Sequence, residues 1–143
     1  MKLIENKKLT LTYVVSQSYE AGIELFGYEV KSLRKKQGGI DGAKVIIRGG
    51  ELFLVGAYIP PYQAANTPKS YDPYRTRKLL LNKKEIEELY HHEQSKTLTL
   101  HPFSLYNKGN LIKCEVAVCK KKEGKDKRED IKKSIARREL REK

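Results

Sequence analysis

Apolar and polar residues alternate at Leu9, Leu11, Tyr13 and Val15, and this period of two predicts a strand with one buried face. Gln17 to Tyr19 read as a break. The chain then turns on the stretch Glu20–Arg34, EAGIELFGYEVKSLR. Ile23, Glu24 and Leu25 still alternate, but after Gly27 the apolar positions Val30 and Leu33 lie three apart. A short strand, a turn and one or two helical turns carrying Lys31 and Arg34 are expected. Beyond the turn-rich KKQGGIDG, two strands, Ala43–Arg48 and Glu51–Tyr58, flank Gly49-Gly50, a two-residue hairpin signal. Val45 and Ile47 share one face, and Leu52 and Leu54 return on it. Pro60 and Pro61 end the hairpin.

Gln63–Tyr74 is a long loop with two prolines, of the kind that often carries function. Asn82 with Glu85 three residues on resembles a capping box, and Ile86, Leu89 and Tyr90 mark one face of a helix ending near Glu93. A further strand is expected over Lys96–Leu105, with Pro102 at an edge, then a turn at Asn107–Asn110. The last strand, Leu111–Cys119, sets Ile112, Cys114, Val116 and Val118 on one face. Five or six short strands with an inserted helix predict a mainly β fold. The natural choice is a small closed antiparallel barrel, OB-fold-like, with two or three short helices and a basic C-terminal tail; an SH3-like barrel is the competing topology.

Charge sharpens this picture. The 143 residues carry a net charge of +12. Residues 120–143 hold 12 Lys or Arg and 6 Asp or Glu, so half of the excess lies in a sixth of the chain. That segment has no aromatic residue and its large aliphatics are Ile131, Ile135 and Leu140, too little to bury a core. Two parts are therefore expected: a barrel domain at 1–119, and a basic tail at 120–143 that is disordered when free and helical against RNA or a ribosomal surface. A polyanionic partner is implied, with nucleic acid ahead of a membrane. No basic helix shows a Leu- or Phe-rich opposite face, and no apolar run approaches ~18 residues. Cys114 and Cys119 fall on opposite faces of one strand, so two free thiols in a reducing compartment are expected. MKLIENKK has no long apolar core, and a cytoplasmic location follows as the expectation.

Catalytic chemistry is not visible. There is no GxSxG, P-loop, HExxH or GxGxxG. Adjacent His91 and His92 point about 100° apart on a helix and suit its C-terminal dipole better than a metal. His101 is lone, and Asp41 and Asp72 have no assignable carboxylate partner. The expectation is a binding protein with no cofactor and no metal. Its candidate RNA-facing groups are Asn6, Glu20, Lys31 and Arg34, the RTRK cluster with Arg75, Arg77 and Lys78, and the tail cations. Arg75, Arg77 and Lys78 have a second reading as braces of the fold. Cations would meet phosphates, whereas Glu20 would accept from a base amino group or a 2′-hydroxyl, or hold an arginine in place. A general single-strand-binding or ribosomal OB protein fits the same charge pattern.

EAGI at Glu20–Ile23, EVKSLR at Glu29–Arg34, DP-Y-RTRKLLL at Asp72–Leu81, KKEI at Lys83–Ile86 and DKRE at Asp126–Glu129 closely resemble the SmpB family of SsrA-binding proteins. The resemblance implies an OB-like barrel with added helices. It implies a partner of tmRNA in trans-translation, which rescues stalled ribosomes without catalysing a reaction; a monomer is expected. The family's tmRNA-contacting positions match at Asn6, Glu20 and Leu80, with Lys31 and Arg34 on the RNA-facing side. The tail, with the family's DKR at Asp126, Lys127 and Arg128, is implied to enter the decoding region of the small subunit; Lys120, Lys122, Lys132, Lys133, Arg137 and Arg138 are the further ribosome-binding positions expected in it. Ahead of DKR the family usually has GKK and then Tyr or His; this chain has Lys121, Lys122, Glu123, Gly124 and Lys125.

Overall fold

A computed structural model describes residues 2–63, 65 and 67–122. Ten elements follow in order: β1 (Lys2–Glu5), α1 (Leu9–Thr12), β2 (Tyr13–Ile23), α2 (Gly27–Arg34), β3 (Lys44–Arg48), β4 (Glu51–Val55), β5 (Arg77–Leu80), α3 (Lys83–Gln94), β6 (Leu98–Lys108) and β7 (Leu111–Lys121). The seven strands form one antiparallel sheet in the order β1-β6-β7-β2-β5-β4-β3.

The β3–β4 hairpin follows its sequence signal. Gly49 and Gly50 both take positive φ, 60° and 76°, as a tight hairpin turn requires. Val45 pairs with Leu54 and Ile47 with Leu52, and all four are buried. On β7, Ile112, Cys114, Val116 and Val118 line the same core. Leu33 of α2 and Leu89 of α3 complete it, each fully buried. Asn82 caps α3, its side-chain oxygen accepting from the Glu85 amide at 2.8 Å. Cys114 and Cys119 are free and buried in two different clusters, on opposite faces of β7.

Four expectations are corrected. The strand expected from Leu9 starts instead at Tyr13, and Leu9–Thr12 is a single helical turn. The sheet order explains it: the chain must cross from β1 over β6 and β7 to reach β2. The turn makes that crossing and drops Leu9 onto Ala117 and Cys119, with Phe103 packed alongside. The expected break at Gln17–Tyr19 is continuous strand. The irregularity lies earlier, between Val15 and Gln17, where Ser16 Oγ donates to the Val118 carbonyl at 3.2 Å. Tyr90 is exposed, so the buried face of α3 is built on Ile86 and Leu89 without it.

The fourth correction concerns closure. The sheet is not a closed barrel: among the described residues no ladder joins β3 to β1 or β6. The C-terminal turn of α3 stands at this seam. The Ile47 amide on the free edge of β3 donates to Glu93 Oε2 at 3.1 Å, so a side chain takes the donor that a closing strand would need. Across the gap, His101 Nδ1 lies 3.4 Å from the Ala43 carbonyl, and the His101 ring packs on Tyr13 with centroids 4.6 Å apart. β7 continues to Lys121, with Lys120 and Lys121 paired to Val14 and Tyr13.

Candidate nucleic-acid interface

The core residue Ala21 fixes which face its neighbours take. Glu20 must point outward, because side chains alternate along a strand. Register then sets the outer face of the sheet. Glu20 lies opposite Glu115, which lies opposite Ser104. The adjoining row runs Tyr106, Lys113, Gly22, Leu80 across β6, β7, β2 and β5. Gly22 leaves Leu80 uncovered: a Cβ there would sit 3.3 Å from the Leu80 Cβ, and Leu80 is 46% exposed. Lys78, two residues before Leu80, shares this face and pairs with Glu51 at 3.2 Å. A shallow groove of about 510 Å³ beside Glu20 is walled by Lys2, Ser18, Tyr19, Ser104, Tyr106 and Glu115.

Glu20 is not isolated in that groove. Tyr106 donates its hydroxyl to Glu20 Oε2 at 2.5 Å, and Lys108 Nζ donates to Oε1 at 2.8 Å. The Lys108 hydrogen bond first, and the Tyr106 hydroxyl next, hold the Glu20 carboxyl below the usual glutamate range. Burial first, and the same contact next, push the Tyr106 phenol upward. Sequence reasoning missed Tyr106 and Lys108; they lie more than 80 residues from Glu20, and only the strand register brings them together.

The charged corner is assembled in part. Arg34 Nη2 donates to the Asn110 carbonyl at 3.1 Å, in the turn just beyond Lys108. Glu20 and Arg34 therefore meet the same end of the β6–β7 hairpin. Lys31 is exposed on α2, with Nζ 6.0 Å from the Tyr62 ring centre. Asn6 sits apart from this open surface. It is buried at the corner after β1, its amide donating to the Phe103 carbonyl at 2.8 Å.

The RTRK cluster divides. Arg77 is fully buried, so the expectation that it faces an RNA is corrected. Its partner is Glu29, also fully buried, whose Oε2 accepts from Arg77 Nη2 at 2.7 Å and Nε at 2.9 Å. The other Arg77 contacts are the Ala57 carbonyl at 2.7 Å, the Pro73 carbonyl at 2.9 Å and the Tyr71 hydroxyl at 3.0 Å. Arg75 closes on Glu29 from outside, Nη2 to Oε1 at 2.5 Å, and stacks 4.1 Å from the Phe26 ring centre. The Phe26 amide donates to the same oxygen at 2.7 Å and starts α2. Burial would raise the Glu29 carboxyl, but the Arg75, Phe26 and Arg77 hydrogen bonds outweigh it and hold the group below its ordinary value. Tyr71, which also donates to Glu29 at 2.9 Å, is pushed up to about 12 by burial and by that carboxylate. Arg75 and Arg77 thus lock the long loop to α2 and β5, and Lys78 alone of the three lies on the outer face.

Of the tail positions, Lys120 and Lys122 are described, and the Lys122 amide donates to the Thr12 carbonyl at 2.9 Å. Asp126, Lys127, Arg128, Lys132, Lys133, Arg137 and Arg138 lie outside the described residues. Among the described residues no cluster of three metal-ligating side chains occurs, and no helix is long and apolar enough to cross a membrane.

Comparison with known proteins bears on this surface. The family model described as SmpB protein matches residues 3–143. The SsrA-binding protein of Mesoplasma florum is 46% identical over 95% of this chain and 92% of its own. That of Paraburkholderia xenovorans is 43% identical over 97% and 94%, and that of Rubrobacter xylanophilus 44% over 94% and 89%. A solved chain described as "tmRNA-SmpB: a journey to the center of the bacterial ribosome" superposes with a TM-score of 0.71, at 36% identity and 87% coverage of both chains.

Proposed function

The chain belongs to the SmpB family, and from that premise we propose that it binds tmRNA and carries it to stalled ribosomes for trans-translation. The match runs through the body and the tail, which is the observation that carries this reading. The work is recognition, not catalysis. The outer face of the sheet, with Glu20, Leu80, Lys78, Lys108 and Lys113, takes the RNA. Lys31 and Arg34 extend it past the β6–β7 turn. A face that carries Lys78, Lys108 and Lys113 beside an acid already met by a cation, Glu20, suits a phosphate backbone approached at a defined point. The curled antiparallel sheet serves as an OB-like wall, side chains filling the seam that strands leave open. The protein acts in the cytoplasm, where ribosomes translate.

Residues 120–143 form the ribosome-facing part of the proposal, with Lys120, Lys122, Asp126, Lys127, Arg128, Lys132, Lys133, Arg137 and Arg138 lining the empty message path of the small subunit. The test is reconstituted tagging of a nascent peptide on ribosomes stalled at the end of a message lacking a stop codon. Tagging that depends on this chain, and is lost on deleting 126–143 while tmRNA binding persists, is the expected result. No tagging with the full chain, or loss of RNA binding with the tail, would overturn the corresponding half of the proposal.

A further inference from the structure

Glu20 presents a physical difficulty on a surface meant for RNA. A carboxylate facing a polyanion repels it unless its charge is met by a cation. Here it is met: one oxygen accepts from Lys108 Nζ at 2.8 Å and the other from the Tyr106 hydroxyl at 2.5 Å. Exposure ranks the ion pair. The Lys108 side chain is 63% exposed and that of Glu20 41%, so the lysine is the more open of the two to an incoming group. Lys108 also sits at the last position of β6, where a flexible four-carbon stem would otherwise sample many rotamers. A tyrosine hydroxyl that donates its proton keeps acceptor lone pairs free. Because its proton is committed to Glu20, Tyr106 Oη can only accept from an incoming group.

We propose that Glu20 is a positioning residue, and that the groups it fixes make the RNA contact: the Lys108 ammonium to a phosphate and Tyr106 Oη to a ribose 2′-hydroxyl. The inference rests on the outer sheet face being the RNA surface. A free lysine would meet a phosphate as a mobile point charge; one oriented by Glu20 meets it with less entropy to lose. The low carboxyl value of Glu20 supports this arrangement, since the acid stays ionised and holds its two donors throughout the physiological range.

The experiment is a double-mutant cycle on binding of the full chain to the tRNA-like domain of tmRNA, over a series of salt concentrations. Lys108→Met should weaken binding roughly threefold to tenfold and reduce the slope of log affinity against log salt by about 1. Tyr106→Phe should weaken binding to that RNA and leave binding to the version carrying a 2′-deoxyribose at the contact unchanged. Glu20→Ala should weaken binding in the wild-type chain and cost nothing further in a Lys108→Met/Tyr106→Phe chain. Lys108→Arg should restore the salt slope, and melting temperatures should stay together across the series. If Glu20→Ala costs as much in the double variant as in the wild type, the carboxylate touches RNA itself and the inference is overturned, with the RNA face intact. If none of the three substitutions changes binding, the RNA lies elsewhere and both the face and the inference fail. A wild-type chain that does not bind this RNA at all would instead refute the proposed function.

Discussion

Replacing Glu29 by Gln removes one charge from a polar cluster whose central pair is fully buried and leaves its shape nearly unchanged. Glu29 and Arg77 are both fully buried, so neither charge can turn to water when the other goes. With glutamine in place, the Arg77 guanidinium keeps the Ala57 and Pro73 carbonyls but loses its counter-ion. Breaking a buried pair by removing one partner costs about 3–5 kcal/mol. Arg75, with a quarter of its side chain exposed, can relax outward and softens the loss only on its own side. Against a total stability of about 5–15 kcal/mol, this is a large fraction. At roughly 3 °C per kcal/mol for a chain of this size, the melting temperature should fall by about 10–15 °C. Urea unfolding at neutral pH measures it, with the midpoint shifted and the slope unchanged. Acid gives a second handle. The carboxyl lies below its ordinary value in the folded state, so its contribution is complete above the unfolded glutamate pKa of about 4.3 and is lost as the pH falls through the folded value. The gap between wild type and Glu29→Gln should therefore close as the pH drops below about 4. A cost under about 1 kcal/mol at pH 7, or a gap that persists in acid, would refute the claim that this ion pair joins the long loop to α2 and β5.

Gly38→Ala should destabilise the fold by about 2 kcal/mol or more in the same urea assay. Gly38 has φ +119°, and an added Cβ would lie 2.6 Å from the Tyr58 carbonyl oxygen; an unchanged midpoint would contradict that. His101 is held below its usual pKa by burial first, with nearby Lys44 acting in the same direction against its hydrogen bond to Ala43. Its neutral form is the folded one, so its contribution is complete above about pH 6.5 and declines as the pH falls towards its folded value. His101→Gln should flatten the stability profile in that interval, and an unaltered profile would count against it. Cys114 is buried with its thiol pushed up to about 12, and Cys119 to about 11, in each case mainly by burial. A disulfide reagent at pH 8 should label both only on unfolding; rapid labelling of the native chain would show the core to be open.

Much of the core was legible because its periodicities are local. Val45, Ile47, Leu52 and Leu54 carry an unbroken period of two around a glycine pair, and the structure seats them as that pattern demands. Leu9 shows where the same reasoning ends. Its alternation looks like a strand, yet the connection must cross two strands of the sheet, a constraint set by topology and not by neighbouring residues. Tyr90 fits a helical face by spacing, but which side of α3 meets the core depends on the neighbouring strands. At the interface, Glu20 and Arg34 stood out within one short stretch, whereas Tyr106 and Lys108 did not. Their link to Glu20 exists only through the registers of β2 on β7 and β7 on β6. Glu29 and Arg77 were hidden for a different reason. Each resembles an ordinary surface charge until its partner, 48 residues away, is placed against it.

Competition between the tRNA-like domain of tmRNA and an ordinary tRNA for the full chain, at a low and a high salt concentration, decides whether the outer face recognises tmRNA. tmRNA should win at both, because a fixed outer-face geometry recognises it beyond the phosphate charge that salt screens. Equal binding of the two RNAs, fading together as salt rises, would contradict it and leave only an electrostatic surface.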